Sequence, residues 1–114
     1  MDRLEEIEKQ IEQFRNDRDW AQYHNPKDLA ISLSIEVAEL LENFQWKISE
    51  DAVQKNKEDI KRELADVLIY SIMLSNEMDL DLETIIKEKL KENEEKYPID
   101  KSKGSNSKYT EFTN

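Results

Sequence analysis

The sequence predicts an all-α protein, a bundle of four main helices, and three observations carry that prediction. The chain of 114 residues is 39% charged yet holds one glycine and two prolines, a composition suited to long helices and poor in turn-formers. Apolar residues recur at steps of three and four through several long segments. The breaks between those segments carry helix-start residues. The length fits one domain, and a 37% hydrophobic content supports a modest core.

In the first segment, Leu4, Ile7, Ile11 and Phe14 form one stripe, which predicts a helix from Leu4 to about Asp19. The run Trp20 to Asp28 interrupts it, with Asn25 as N-cap and Pro26 at the first helical position. A second helix is expected from there to about Trp46 or Lys47. Ser49-Glu-Asp reads as another start, but residues 51–58 are so polar that a short helix or a loop is expected. The third helix covers Glu58 to Glu77, with Ile60, Leu64, Val67, Leu68, Ser71 and Leu74 as its core stripe. Asp79-Leu-Asp breaks it and caps a last helix from Leu82 to about Lys96, which Tyr97-Pro98 ends. Residues 99–114 show no periodicity, and read alone they are a disordered tail. Residues 1–98 thus form the expected domain, with 99–114 appended.

Acidic residues number 27 against 17 basic, a net charge of −10 that repels a nucleic-acid backbone. No nucleic-acid polymer is expected as partner. Without cysteine there are no disulfides, thiolate metal sites or cysteine nucleophiles, and the single His24 excludes multi-histidine sites. The N-terminus has no signal-peptide pattern, and the longest apolar stretch, Leu64 to Leu74, is too short to span a bilayer and contains Asp66. A cytoplasmic protein without a membrane partner is the expectation.

In Leu29 to Leu41, apolar residues point in nearly every direction, yet Glu36 and Glu39 sit among them. Leu64 to Leu74 repeats the situation with Asp66, and Glu63 lies one turn earlier. A helix apolar all round is expected to be buried. Each acidic pair has i,i+3 spacing, so its two carboxylates share a helix face. Four converging carboxylates require compensation, since like charges in a dry site raise each other's pKa. A hard divalent cation with oxygen ligands supplies it. Buried ion pairs with Lys61 or Arg62 are the competing explanation. The remaining glutamates, Glu5, Glu6 and Glu92 among them, read as solvated surface.

The pattern Ile-Glu-Val-Ala-Glu-Leu at 35–40 followed by Glu-Leu-Ala-Asp-Val-Leu-Ile-Tyr at 63–70 resembles the ExxE…ExxD signature of the all-α NTP pyrophosphohydrolases, the MazG-like superfamily. Residues 18–29, Phe-Gln-Trp-Lys at 44–47, Lys-Tyr-Pro at 96–98 and Lys-Tyr-Thr at 108–110 resemble its dCTP pyrophosphatase branch. One departure is that Ile35 precedes Glu36, where many members have a second glutamate.

The resemblance implies a Mg²⁺-dependent hydrolase, with Mn²⁺ as a substitute, that converts a (d)NTP to monophosphate and pyrophosphate. It implies Glu36, Glu39, Glu63 and Asp66 as metal ligands, with Glu36 or Glu39 activating the water. Trp20 and Trp46 would wall the base pocket, with His24 and Tyr70 as further substrate contacts. Lys89, Asn93 and Tyr97 would touch phosphate. Apart from the resemblance, the basic tail, with Lys101, Lys103, Lys108 and Tyr109, carries charge opposite in sign to the body and is expected to close over bound phosphate as a lid. Oligomers, dimeric or tetrameric, are implied as well, and the all-round apolar helices point the same way. Alternative readings are an acidic helical interaction protein, a non-catalytic nucleotide binder and a dUTP-type enzyme of the same superfamily.

Overall fold

A computed structural model describes residues 2–113, and these contain helices and no strand. The main helices are α1 (Arg3–Asp17), α2 (Pro26–Glu42), α3 (Ser49–Glu77) and α4 (Leu82–Lys96), followed by the short α5 (Ile99–Ser102). Single 3₁₀ turns occupy Ala21–Tyr23 and Tyr109–Glu111. The chain divides into two compact units, Met1–Leu80 and Asp81–Asn114.

Three of the starts use the capping chemistry readable in the sequence. The Asp2, Asn25 and Asp81 carboxylate or amide oxygens accept the backbone N–H of Glu5, Asp28 and Thr84 at 2.9, 2.9 and 3.1 Å. Two ends share another device. Asp19 and Asp79 adopt φ of 53° and 54°, the left-handed conformation that usually calls for glycine. Each lets the next N–H reach back, Trp20 to the Arg15 carbonyl at 3.1 Å and Leu80 to the Ser75 carbonyl at 2.9 Å. In a chain with one glycine, short-chained aspartate takes over that conformation at modest cost.

Several expectations are corrected. Helix α2 stops at Glu42, earlier than Trp46, because a run of turns follows in which Trp46 takes φ 63°. The polar stretch 51–58 is helix and no loop: a short helix that starts at Ser49 meets the longer one at a kink, where Asn56 leaves helical geometry at φ −111° and ψ 18°, and α3 (Ser49–Glu77) comprises both. The Asn56 side chain donates 2.8 Å to the Asn43 carbonyl, tying this irregularity to the turn after α2. The tail is also structured, since Tyr97 meets Tyr109 and Phe112 edge-on at 5.8 Å each. Two aromatic contacts supply the order that the tail's polar composition lacks.

Within the first unit α2 packs along α3, and α1 also meets α3. Ile11, Leu29, Ala52, Ile72 and Met73 are buried there. The expected burial of α2 on all sides does not occur in this chain: Leu29 is its one buried residue, while Ile31, Ile35, Val37 and Leu41 are exposed. On α3, Leu64 and Leu68 of the expected core stripe are likewise exposed. Periodicity identifies apolar surface correctly but not what covers it, and two neighbours in one small unit cannot enclose a helix that is apolar all round.

Candidate functional site

The packing of α2 on α3 decides where the acidic pairs go. Oxygens of Glu36, Glu39 and Glu63 all lie within 4.8 Å of one another. Asp66 is outside that tight group yet close enough for its charge to act on both Glu36 and Glu63. Glu36 Oε2 and Glu63 Oε2 are buried and have no hydrogen-bond partner. Burial first, then the close approach of Glu39, pushes the Glu36 carboxyl up to about 7. Glu63 is raised for the same reasons. The ion-pair alternative is not what forms, since Lys61 pairs with Glu58 at 3.4 Å and Arg62 with Asp59 at 3.9 Å. Orphaned, mutually repelling acidic oxygens are the donor set that a hard divalent cation fits.

Two different spaces meet at these carboxylates. Glu36 and Asp66 face a largely apolar cavity of about 550 Å³. Helix α1 lines it with Ile7, Gln10, Ile11 and Phe14, the following turn with Trp20 and His24, and α3 with Ile69, Tyr70 and Met73. Glu39 and Glu63 face a polar cleft of about 450 Å³, lined also by Glu42, Asn43, Asn56 and Asp59. A flat organic group and a charged one would therefore find separate compartments on either side of one acidic junction.

The cavity wall is a ladder of rings. Phe14 meets Trp20 edge-on at 5.6 Å, and Trp20 meets His24 at 6.4 Å. Arg18 lies 3.8 Å over the Phe14 ring. Burial, then the nearby Arg15 guanidinium, lowers the His24 pKa, and its Nδ1 is buried without a partner. The Tyr70 hydroxyl is raised by burial and then by the Glu36 charge. Trp46 is elsewhere: it is 94% exposed and does not line this cavity.

The second unit holds the remaining sequence candidates. Lys89 pairs with Glu92 at 3.1 Å, and Lys96 reaches the same carboxylate at 3.0 Å. These two ammonium groups lower the Glu92 pKa, Lys96 first. The Asn93 carbonyl accepts the Tyr97 N–H at 2.8 Å and ends α4. Lys96 also lies 5.0 Å over the Tyr109 ring, and the Lys108 N–H donates to Glu111 at 3.1 Å.

Sequence reading takes the α1 stripe as ordinary core and so misses Ile7, Gln10, Ile11 and Phe14 as cavity lining. Their helical spacing is visible, but nothing in it distinguishes a wall from a core. It also misses Arg15, a 4% exposed cation bonded to Glu77 and Glu12. Partners 62 positions apart leave no local pattern.

Fold and site together define an all-helical protein that gathers carboxylates from two packed helices beside an apolar chamber. Known proteins resemble this chain in sequence and in fold. The model of the MazG-like family matches residues 31–112. Among curated proteins, dCTP pyrophosphatase 1 of Rattus norvegicus is 39% identical over 114 residues, which covers 96% of this chain and 67% of the relative. The Homo sapiens dCTP pyrophosphatase 1 is 37% identical over the same shares. A crystal structure of a pyrophosphatase from Archaeoglobus fulgidus superposes with a TM-score of 0.80 at 42% identity, covering 86% of this chain and 94% of that one. The chain belongs to the MazG-like family. Among the described residues no helix is long and apolar enough to cross a membrane.

Proposed function

We propose that the chain cleaves a nucleoside triphosphate, dCTP or a base-modified dCTP by preference, to its monophosphate and pyrophosphate in a Mg²⁺-dependent reaction. Its relatives make it a nucleotide pyrophosphohydrolase. The observation that carries the finer reading is the acidic junction, with buried unpartnered oxygens on Glu36 and Glu63, between an apolar chamber and a polar cleft.

In this reading Glu36, Glu39, Glu63 and Asp66 would hold the divalent cation, Mg²⁺ or in its place Mn²⁺, which would supply charge neutralisation for the phosphates and polarisation of the phosphoryl oxygens. The base enters the cavity against Phe14 and Trp20, where stacking contributes about 1–3 kcal/mol. His24, held neutral, and the Tyr70 hydroxyl offer polar contacts at its edge. A water oxygen attacks the α-phosphorus, the bond to the bridging oxygen breaks, and pyrophosphate leaves with that electron pair. The water's proton passes to Glu36 or Glu39.

Lys89, Asn93, Tyr97, Lys108 and Tyr109 are proposed phosphate contacts, and residues 99–114 a lid appended to the catalytic domain of residues 1–98. Trp46, exposed and away from the cavity of its own chain, is proposed to wall the base pocket of a second copy in a symmetric homodimer or homotetramer. That association would bury Ile31, Ile35, Leu64 and Leu68 and complete a four-helix bundle. We place the enzyme in the cytoplasm, where it would act on free nucleotides.

The test is a panel of dNTPs and NTPs followed for monophosphate and pyrophosphate with Mg²⁺, with EDTA, and with Glu39→Gln and Asp66→Asn. The expected result is pyrophosphate release, fastest with dCTP-type substrates and lost in EDTA and in both variants. Metal-independent release of orthophosphate overturns the assignment.

A further inference from the structure

The cavity's front wall, α1 with the turn that follows it, is built from a helix that meets its neighbours sparingly. Ile7 and Phe14 remain partly exposed although they line the cavity, and Ile11 is the one buried apolar residue of the helix. Apolar packing of so narrow a stripe is weak anchorage for a wall. The other buried residue of α1 is a cation. Arg15 is 4% exposed, and Nη2 donates to Glu77 Oε2 at 2.5 Å while Nη1 donates to Glu12 Oε1 at 3.3 Å. Asn76 Nδ2 donates to the same Glu12 oxygen at 3.3 Å, so a four-residue network joins α1 to the last turn of α3.

Arg15 also works through its backbone. Its carbonyl accepts the Trp20 N–H at 3.1 Å, the bond that closes the end of α1 and sets Trp20 at the cavity. The buried guanidinium and the ring ladder therefore hang on one residue. Glu77 and Glu12 are each about a third exposed, so the pair has a hydrated side and a dry side. A two-headed guanidinium fits two carboxylates at fixed angles, which a lysine ammonium cannot match.

We infer that Arg15 is a positioning residue for the nucleotide pocket: its bonds to Glu77 and Glu12 seat α1 on α3 and hold the Phe14, Trp20 and His24 face of the cavity in place. This rests on the reading of that cavity as the base site. Arg15 lines neither the cavity nor the acidic cleft, so it acts through the wall.

His24 reports on the arrangement because it is the one histidine of the chain, so its imidazole proton signals need no assignment. The charges acting on it are Arg15 and Glu12 from α1 and Glu77 from α3, while Glu36 and Asp66 share its cavity. Arg15 depresses its pKa, whereas Glu77 and Glu12 raise it. Removing the cation and loosening the wall therefore move the titration in the same upward direction, towards the ordinary value of 6.5 or beyond.

The experiment compares the full chain with Arg15→Met, Arg15→Lys and Glu77→Gln, measuring kcat and KM for the best substrate and following His24 by proton NMR against pH. Arg15→Met is expected to raise KM about tenfold, the equivalent of about 1.4 kcal/mol of lost binding, with kcat within twofold and the His24 midpoint displaced upward. Arg15→Lys should restore part of both changes. If Arg15→Met fails to fold, Glu77→Gln, which keeps a hydrogen-bond acceptor for the guanidinium, is expected to raise KM and is read alone. An unchanged KM in a folded, active variant overturns the inference, and so does a His24 midpoint in Arg15→Met that stays where it is in the parent. Should the parent hydrolyse no nucleotide, the hydrolase reading fails by itself, and the His24 midpoint in Arg15→Lys, which keeps the charge, then reads the wall: a midpoint above the parent's supports the inference and one equal to the parent's overturns it.

Discussion

The turns at the two ends of α2 each carry a tryptophan, and the fold treats them oppositely. At the N-terminal end, Trp20 follows an aspartate that absorbs the left-handed conformation, and its ring packs between Phe14 and His24. At the C-terminal end, Trp46 itself adopts φ 63° and is 94% exposed. A bulky residue in that conformation costs on the order of 1 kcal/mol. The first tryptophan packs against rings of its own chain, while the second holds a left-handed backbone with its ring in solvent. The contact with a second copy proposed above would account for a residue kept in that state.

The acidic junction lies between those turns, and the largest effect is expected there. Glu36→Gln should lower kcat on the order of 100-fold or more, as loss of a general base does, while the emission of both tryptophans stays as in the parent. A change in Trp20 emission would mean that the cluster also shapes the wall, and the two ends of α2 would no longer be separable.

The tryptophans themselves come next. Trp20→Ala should cost about 2 kcal/mol in urea unfolding, below the usual loss for a fully buried indole because Trp20 is 41% exposed. Trp46→Gly should leave monomer stability unchanged or raise it by up to about 1 kcal/mol, since glycine relieves the left-handed strain. It should nevertheless raise KM. Equal destabilisation by the two substitutions would erase the contrast.

A pH series sharpens the same division. The Glu36 carboxyl titrates near 7 in the folded metal-free chain against an ordinary value of 4.5, so the unfolded chain loses that proton first as pH rises. Relative stability from this group is fully present below about 4.5 and is lost as pH climbs to about 7. The urea midpoint of metal-free protein should fall across that window, and Mg²⁺ added at neutral pH should restore it. A midpoint that rises with pH across the window would contradict the raised carboxyl.

The smallest effect is expected in the second unit. Phe112→Ala removes one of two edge-on partners of Tyr97, worth about 1 kcal/mol, and should raise KM about threefold if the tail holds Tyr97 for phosphate.

Much of this molecule is legible in its amino-acid sequence, for local reasons. The caps at Asn25 and Asp81 can be read because a cap joins residues three apart. The pairing of Glu36 with Glu39, and of Glu63 with Asp66, follows from helical geometry alone. The apolar stripe on α1 is visible too, although its role as a cavity wall is not.

What the chain encodes by itself is therefore the body of each main helix, its capped starts and the face on which each carboxylate sits, because these depend on neighbours within about a turn. Only the packing of α2 on α3 decided that Glu63 joins Glu36 and Glu39 while Asp66 stands with Glu36 at the apolar cavity. Only tertiary structure left Ile31, Ile35, Leu64 and Leu68 uncovered, tied Arg15 to Glu77 and turned Trp46 outward. Those outcomes depend on which surfaces meet across long stretches of sequence, and periodicity along one helix carries no information about the partner on the other side.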